Sequence, residues 1–226
     1  MTADVPALRA RLRAMPVFPE SVPDFDVEGA PDDPVDLFVV WLDAAVEAGQ
    51  LAPHAPVLST SGASGQVSAR TLALKDVDAR GWWFATHTTS PKGRALAENP
   101  AAALTFFWPA VGRQVRVAGR VQRLGADEVE RDFLARRPAA RAATLVGHQS
   151  EPLASAALYE DALASARTRI DEEPDLVDPA WGVYVLVAEH VEFWSASLDR
   201  AHTRLRYSRS TTAIGETIWT KETLWP

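Results

Sequence analysis

The sequence predicts a mainly β fold with helices, built as an antiparallel barrel that carries helical attachments. Six or so segments have the alternation or the apolar content of strands, and the central ones are joined by turns too short for crossover helices. Stretches with helical spacing lie between some of these strands. A doubly wound parallel sheet is therefore disfavoured.

The chain divides into an arm and a folded domain. Residues 1–31 are rich in proline and acidic residues and lack sustained periodicity, so we expect an N-terminal arm that is partly flexible. Residues 32–226 carry the strand signals and are long enough to bury a sizeable core. We expect a single domain over this range.

The elements of the domain are predicted from their end signals. The first helix should follow Asp32 or Asp33, place Pro34 at its first position and end at Gly49. A second helix should have Ser90 as its N-cap. The remaining predicted elements are two strands around a Gly-Ala-Ser-Gly turn within 56–75, strands at 82–87, 102–108, 113–124 and 181–194, the last irregular near Glu189 and His190, and helices at 126–138 and 157–173.

Composition narrows the function classes. The 226-residue chain has a formal net charge of −7, whereas nucleic-acid binders usually carry a basic excess, so we expect no nucleic-acid partner. It has no run of about 18 apolar residues and no apolar signal-peptide core, so we expect no membrane association and a cytoplasmic protein. It has no cysteine, and its five histidines lack ligand-like spacing, so we expect no metal site.

One candidate anion site lies where the second helix should begin, within residues 86–93, Thr-His-Thr-Thr-Ser-Pro-Lys-Gly. Free N–H groups at a helix start favour an anion, and Lys92 adds a positive charge. A capped helix with a solvated lysine explains the same residues. The sequence leaves both interpretations open.

Three other groups are weaker when each is taken alone. Arg70 and Lys75 lie in one extended segment, where strict alternation would point them to opposite faces. Gln114 could reach the edge of a heterocycle, because its amide both donates and accepts hydrogen bonds. Solvated polar surfaces explain these residues as well, and pairs such as Gln149 and Ser150 are common in loops.

The segment 193–207, FWSASLDRAHTRLRY, gives a stronger signal. Arg200, His202 and Arg204 alternate, so in an extended conformation they share one face. A guanidinium can stack on an aromatic ring and hold an anion, and histidine titrates near neutral pH. The alternative is a charged strand edge that discourages aggregation.

Taken together, the motifs resemble the pyridoxamine 5'-phosphate oxidase family in sequence and order. They are SARTLALK, FATHTTSPKG, NPAAALTFFW, RQVRVAG, RRP, QS, EFW, RAHTR and a terminal LWP, and the resemblance runs from about Asp33 to Pro226. It implies a split-barrel fold, FMN as cofactor, and a homodimer with the flavin at the interface. It also implies a small-molecule substrate and O₂ as the electron acceptor.

The resemblance assigns roles residue by residue. It places the cofactor at Arg70, Thr71, Leu72, Ala73, Leu74, Lys75, Ala85, Thr86, Lys92, Gln114, Gln149, Ser150, Trp194 and Arg204. It places the substrate at Lys75, Phe133, Arg137, Arg141, Arg200 and His202, and the catalytic role at Arg200 and His202. Some of these residues would come from the second chain of the dimer.

Departures from the family pattern concern the two anion sites. Pro91 stands where the family's phosphate loop has an arginine. Phe133 stands at the position of a family tyrosine, and Arg141 lies near that of a serine. Ala201 and Thr203 replace a leucine and an acid beside His202. The segment FATH…S.KGR.L is similar to the branch that oxidises phenazine precursors.

Three functions follow as hypotheses. The first is an FMN oxidase resembling pyridoxamine/pyridoxine 5'-phosphate oxidase, with hydride transfer to flavin N5 and O₂ reduced to H₂O₂. The second is an oxidase of the same mechanism that acts on a dihydro-aromatic, phenazine-type intermediate. The third is a non-catalytic split-barrel protein that binds flavin, deazaflavin or haem.

Overall fold

The computed structural model describes residues 5–212 and 215–226. Within them, nine strands form one antiparallel sheet, accompanied by six α-helices and one short 3-10 turn, Pro109–Val111. The strands are β1 Val57–Ser61, β2 Val67–Thr71, β3 Leu74–Asp78, β4 Gly81–His87, β5 Ala101–Trp108, β6 Arg113–Arg123, β7 Trp181–Ser195, β8 Thr203–Thr211 and β9 Thr217–Thr223. The helices are α1 Val5–Ala14, α2 Pro34–Glu47, α3 Pro91–Glu98, α4 Ala126–Leu134, α5 Pro138–Leu145 and α6 Ala156–Glu172.

The sheet curls into a barrel that stays open between two consecutive strands. Its order is β2-β1-β5-β6-β7-β4-β3, with β8 and β9 added beside β7. Strands β2 and β3 lie at opposite ends of this path although only residues 72–73 join them. Among the described strands β2 pairs with β1 and β3 with β4, and no ladder joins β2 to β3. The predicted antiparallel, mainly β fold is confirmed.

Strand β7 is the longest strand and serves two neighbours along one edge. Its first half pairs with β4, its second half pairs with β8, and β6 pairs along the other edge from residue 184 to residue 195. The register against β6 shifts between Ala118 and Gly119, opposite Ala188 and His190. A Cβ on Gly119 would lie 2.1 Å from the carbonyl oxygen of Val187, so this crossing requires glycine. The irregularity predicted near Glu189 and His190 is confirmed.

Helix α2 packs against the main core. Asp33 accepts a hydrogen bond from the Val35 N–H at 2.8 Å, and the helix begins at Pro34 as predicted. Its buried face carries Phe38 and Trp41, which contact other rings at 4.8–5.9 Å between centroids. The N-cap at Asp33 and the buried apolar face therefore both support the predicted helix.

Five elements were missing from the sequence prediction: α1, α5, β3, β8 and β9. Helix α1 lies inside the arm, which was expected to be partly flexible, and α5 follows Arg137 directly. Strand β3 is a third strand where two were predicted, and β8 follows the turn that holds Arg200 and His202. Strand β9 pairs with β8 at the end of the chain. Helix α1 escaped detection because Leu8 and Leu12 remain exposed, so no buried face marks it. The arm also packs locally, since the ring of Phe25 lies 4.8 Å from that of Trp41.

Candidate functional site

The first candidate region, here called the α3 cluster, consists of Arg70, Lys92 and the first turn of α3. Arg70 on β2 donates to the carbonyl oxygen of Leu58 at 3.1 Å and to the hydroxyl of Thr60 at 2.9 Å. Lys92 is half-buried in the first turn of α3. Among the described residues it makes neither a hydrogen bond nor an ion pair with another group.

The α3 cluster holds two cations, and no acid among the described residues forms an ion pair with either of them. Burial, and then the charge of Arg70, lower the pKa of Lys92, and burial lowers the pKa of Arg70. Two like charges held this way are stabilised by a bound anion. The residues present therefore fit a phosphate group at this position.

The start of α3 is fixed by short-range packing. The hydroxyl of Ser90 accepts from the Gly93 N–H at 3.2 Å and donates to the carbonyl oxygen of His87 at 2.7 Å. A Cβ on Gly93 would lie 2.4 Å from the carbonyl oxygen of Thr88, so no larger residue fits without displacement. The predicted N-cap is confirmed, with Pro91 at the first helical position.

A buried histidine, which sequence reasoning missed, supports this loop. His87 Nε2 lies 3.1 Å from a carboxylate oxygen of Asp178, and its Nδ1 lies 2.6 Å from the hydroxyl of Thr89. The Thr88 N–H donates to the carbonyl oxygen of Ala180 at 2.7 Å. The loop before α3 is thereby joined to the turn before β7. Asp178 lies far from His87 in the sequence, so no local pattern predicted that these two residues would pair.

The second candidate region centres on the Lys75–Asp132 pair. Lys75 Nζ on β3 lies 2.9 Å from Asp132 Oδ1 on α4. The other oxygen, Asp132 Oδ2, accepts from the indole N–H of Trp181 at 2.8 Å. Asp132 was not among the predicted site residues, because nothing in the sequence places it opposite Lys75.

Of the other residues predicted to bind the substrate anion, Phe133 and Arg141 are buried within the chain and Arg137 is exposed. Phe133 is completely buried and contacts Trp181, with ring centroids 6.0 Å apart. Arg141 is buried, and its guanidinium donates to the carbonyl oxygens of Pro174 and, at 2.9 Å, Leu176. Arg137 is exposed at the N-cap of α5. The structure brings Phe133 and Arg141 together, but in the core.

The third candidate region lies on the outward face of β6, β7 and β8. Gln114 and Arg204 both stand opposite Trp194 in the register, so the three side chains share one face. Arg204 donates to Glu192 Oε1 at 2.9–3.0 Å and to the carbonyl oxygen of Trp225 at 2.9 Å. This face is polar and aromatic, and it remains partly exposed.

The turn between β7 and β8 presents two predicted catalytic residues. Arg200 is exposed and has φ 69°, a left-handed conformation that is uncommon outside glycine. His202 Nδ1 accepts a hydrogen bond from the Ser197 N–H at 3.0 Å, and its ring centroid lies 4.8 Å from that of Trp194. The neutral ring must therefore carry its proton on Nε2.

The remaining predicted cofactor residues lie near the ends of strands or in loops. Residues 71–74 cross the open side of the barrel, Ala85 and Thr86 lie near the end of β4, and Gln149 and Ser150 lie in an exposed loop. Within the described residues, no hydrogen bond, ion pair or ring contact joins the predicted residues of one candidate region to those of another. A single chain thus leaves the three regions separate.

Comparison with known proteins bears on all three regions. Residues 42–169 match the family described as pyridoxamine 5'-phosphate oxidase. Residues 181–226 match the pyridoxine 5'-phosphate oxidase C-terminal dimerisation region. The chain belongs to the pyridoxamine 5'-phosphate oxidase family. The resemblance seen in the sequence motifs is confirmed, and the protein is an enzyme of this flavin-dependent oxidoreductase family.

Individual members of the family are similar to this chain over most of their length. The chain is 38% identical over 199 residues to a pyridoxine/pyridoxamine 5'-phosphate oxidase of Pseudomonas paraeruginosa, covering 87% of this chain and 90% of that one. It is 41% identical over 193 residues to a protein of that description from Bordetella avium, covering 85% and 89%. A solved structure, PhzG from Burkholderia lata in complex with tetrahydrophenazine-1-carboxylic acid, is 30% identical with a TM-score of 0.82, covering 91% of this chain and 100% of that one.

The split-barrel prediction is confirmed, because the described strands of this chain form an open antiparallel sheet and the chain matches the PhzG structure with a TM-score of 0.82. None of the helices in residues 5–212 and 215–226 combines the length and the apolar character needed to span a bilayer.

Proposed function

We propose that this protein is an FMN-dependent oxidase resembling pyridoxine/pyridoxamine 5'-phosphate oxidase. The observation that carries the proposal is the α3 cluster, where Arg70 and Lys92 stand together without an acid at a helix start. These groups suit the phosphate of FMN, which the family resemblance also assigns to them. Bound FMN supplies a hydride acceptor at N5, whose electrons pass to O₂ and give H₂O₂.

The protein works as a homodimer in this proposal. Within the described part of one chain, no hydrogen bond, ion pair or ring contact joins the cofactor residues predicted on β2, β3, β4 and α3 to those on β6, β7 and β8. A second copy that places its outward Gln114, Trp194 and Arg204 against the α3 cluster of the first would complete the site. The exposed Phe107, next to Gln114 in the β5–β6 register, gives this face an apolar contact. The match of residues 181–226 to a dimerisation region supports the arrangement.

Arg200 and His202 would position the substrate. The left-handed turn projects the Arg200 guanidinium outward, where it can cover a flat ring. Because the Ser197 N–H occupies Nδ1, the neutral His202 ring offers its Nε2 proton to a ligand. The two residues would orient the carbon that loses the hydride, which is where binding geometry contributes most to rate.

The purified protein tests the proposal. Oxidised FMN should give absorption bands near ~370 and ~450 nm, and release by denaturation should yield FMN by mass spectrometry. The dimer should carry one FMN per chain and should produce H₂O₂ with an amine or alcohol substrate. A haem-type Soret band, a bound deazaflavin, or flavin without turnover of any candidate substrate would instead support the non-catalytic alternative.

A second candidate substrate is an unphosphorylated dihydro-aromatic compound of the phenazine type. The buried Phe133 and the occupied Arg141 favour it, because neither side chain offers a free group to a substrate phosphate. The complex of the related PhzG with tetrahydrophenazine-1-carboxylic acid points the same way. Arg137, Arg200 and His202 favour a vitamer phosphate. Comparing kcat/KM for pyridoxamine 5'-phosphate and for a dihydrophenazine decides between them. A cytoplasmic location remains an expectation for either substrate.

A further inference from the structure

We infer that Asp132 is a specificity-determining residue that selects against a substrate phosphate at Lys75. The inference rests on the proposed function, since it concerns the substrate side of the same site. Asp132 is the acid that neutralises the lysine which the family resemblance assigns to substrate binding. A phosphate dianion would have to displace this carboxylate or bind beside it.

Asp132 is held in place at both carboxylate oxygens. Oδ1 lies 2.9 Å from Lys75 Nζ, and Oδ2 accepts from the indole N–H of Trp181 at 2.8 Å. Its side chain is only 18% exposed, so water screens the pair incompletely. Turning the carboxylate away would leave the buried indole N–H of Trp181 without its acceptor, which is costly. The acid is therefore a fixed part of this surface.

The arginines near Asp132 are either engaged within the chain or exposed. Arg136 stacks over Trp181 at 4.2 Å, donates to the Thr144 hydroxyl at 2.7 Å and also interacts electrostatically with Asp132. The Arg141 guanidinium is bound to two backbone carbonyl oxygens. Arg131 and Arg137 are exposed and make no hydrogen bond or ion pair through their side chains among the described residues. The lysine assigned to the substrate anion is nevertheless neutralised by a fixed carboxylate, which weakens the site for a dianion.

The consequence is a pocket that prefers rings without phosphate. Because Asp132 already neutralises Lys75, a phosphate gains little attraction from this lysine, and the lost attraction matters most where water is partly excluded. An uncharged substituent does not depend on that attraction. The Lys75–Asp132 pair, which is neutral overall, can then form hydrogen bonds to a substrate but does not act as an anion site.

The experiment replaces Asp132 in the FMN-loaded dimer. Asp132→Asn removes the charge and keeps an oxygen that can accept from Trp181. Binding of 4-deoxypyridoxine 5'-phosphate and of 4-deoxypyridoxine, which have no oxidisable group at C4, is measured by calorimetry. We expect the phosphorylated ligand to bind about tenfold or more tightly to Asp132→Asn than to wild type, with the unphosphorylated ligand changing by less than about twofold.

Two further variants keep the test specific. Glu130→Gln removes an exposed negative charge from the same helix and should leave both affinities unchanged. The double variant Asp132→Asn/Lys75→Met should lose the gain, because the freed lysine is its source. Thermal melting of each variant confirms that the dimer is folded, and a variant that fails to fold is replaced by Asp132→Ser.

The outcomes separate this inference from the proposed function. A selective gain for the phosphorylated ligand that disappears in the double variant supports the role of Asp132. Equal changes for both ligands, no change, or a gain that survives Lys75→Met overturns it. Absence of FMN from the purified protein would overturn the proposed function instead. That result is read from the absorption spectrum before any ligand is added.

Discussion

Two lysines in this chain lie beside candidate anion sites, and they have opposite surroundings. Lys92 in the α3 cluster has a second cation nearby and no acid, and its pKa is lowered by burial and by Arg70. Lys75 is paired with Asp132 at 2.9 Å. The first arrangement is stabilised by an added anion, and the second already contains one. A lysine or arginine therefore indicates an anion-binding site only when no neighbouring acid neutralises its charge.

The difference matches the two ligands expected at the site. A phosphate-bearing cofactor is shared across an enzyme family, whereas the substrate can vary from member to member. The α3 cluster retains what a phosphate needs despite Pro91, because Arg70, Lys92 and the helix start remain. On the substrate side, Asp132 neutralises Lys75, and Arg141 is buried in the core. In the function proposed above, cofactor binding and substrate selection belong to electrostatically distinct regions.

The largest effect is expected from disturbing the backbone of the α3 cluster. Gly93→Ala places a Cβ 2.4 Å from the carbonyl oxygen of Thr88, so the loop and Lys92 must move. We expect a loss of about 1–3 kcal/mol in the free energy of unfolding and a loss of FMN affinity of about a hundredfold. Gly125→Ala is the matched control, because the added Cβ meets only Glu128 at 3.4 Å. Similar FMN affinity in the two variants would show that the α3 start does not hold the cofactor.

A smaller effect is expected from giving the α3 cluster an acid of its own. Ser68 accepts a hydrogen bond from the Arg70 guanidinium and is exposed. Ser68→Asp should therefore copy the Lys75–Asp132 arrangement and weaken FMN binding roughly fivefold, since an exposed pair contributes up to about 1 kcal/mol. Ser68→Asn keeps the size without the charge and should bind FMN as wild type does. Equal affinities for the two variants would contradict the electrostatic comparison.

The smallest effect over an accessible pH range is a gradual fall in FMN affinity as the pH begins to rise towards the pKa of Lys92. The pKa of Lys92 is lowered from 10.5, and the protonated form is the one that attracts phosphate. Affinity should therefore be full below the lowered pKa and fall as the pH rises through it, beginning at a lower pH than an ordinary lysine would give. Fluorescence titrations from about pH 7.5 upward avoid the phosphate's own titration near 6. Lys92→Met should flatten the profile, and an identical profile in that variant would assign the change to another group.

Local signals in the sequence were sufficient for the start of α3. Ser90 and Pro91 predicted where the helix begins, and its positive start made a phosphate site one of two interpretations, the other being a solvated lysine. Asp33 and Pro34 predicted α2 in the same way. Such signals depend on neighbours within one helical turn, so a single sequence displays them.

The Lys75–Asp132 pair could not be predicted because it depends on how distant segments pack. Strand β3 and helix α4 are far apart in the chain, and nothing in either segment indicates that they meet. The burial of Phe133 follows from the position of Trp181, which lies further along still. Helix α5 was missed although Pro138 stands at its first position, the signal that identified α2 and α3. That signal was available and was not used.

The account depends most directly on whether Lys92 binds a phosphate. FMN and riboflavin differ only in that group, so their dissociation constants are measured by flavin fluorescence for wild type and for Lys92→Ala. Since a hydrogen bond to a charged group is worth about 1.5–3 kcal/mol, the variant should bind FMN about tenfold to a hundredfold more weakly and riboflavin with unchanged affinity. An equal loss for both flavins, or no loss for FMN, would contradict the assignment of the α3 cluster to the cofactor phosphate.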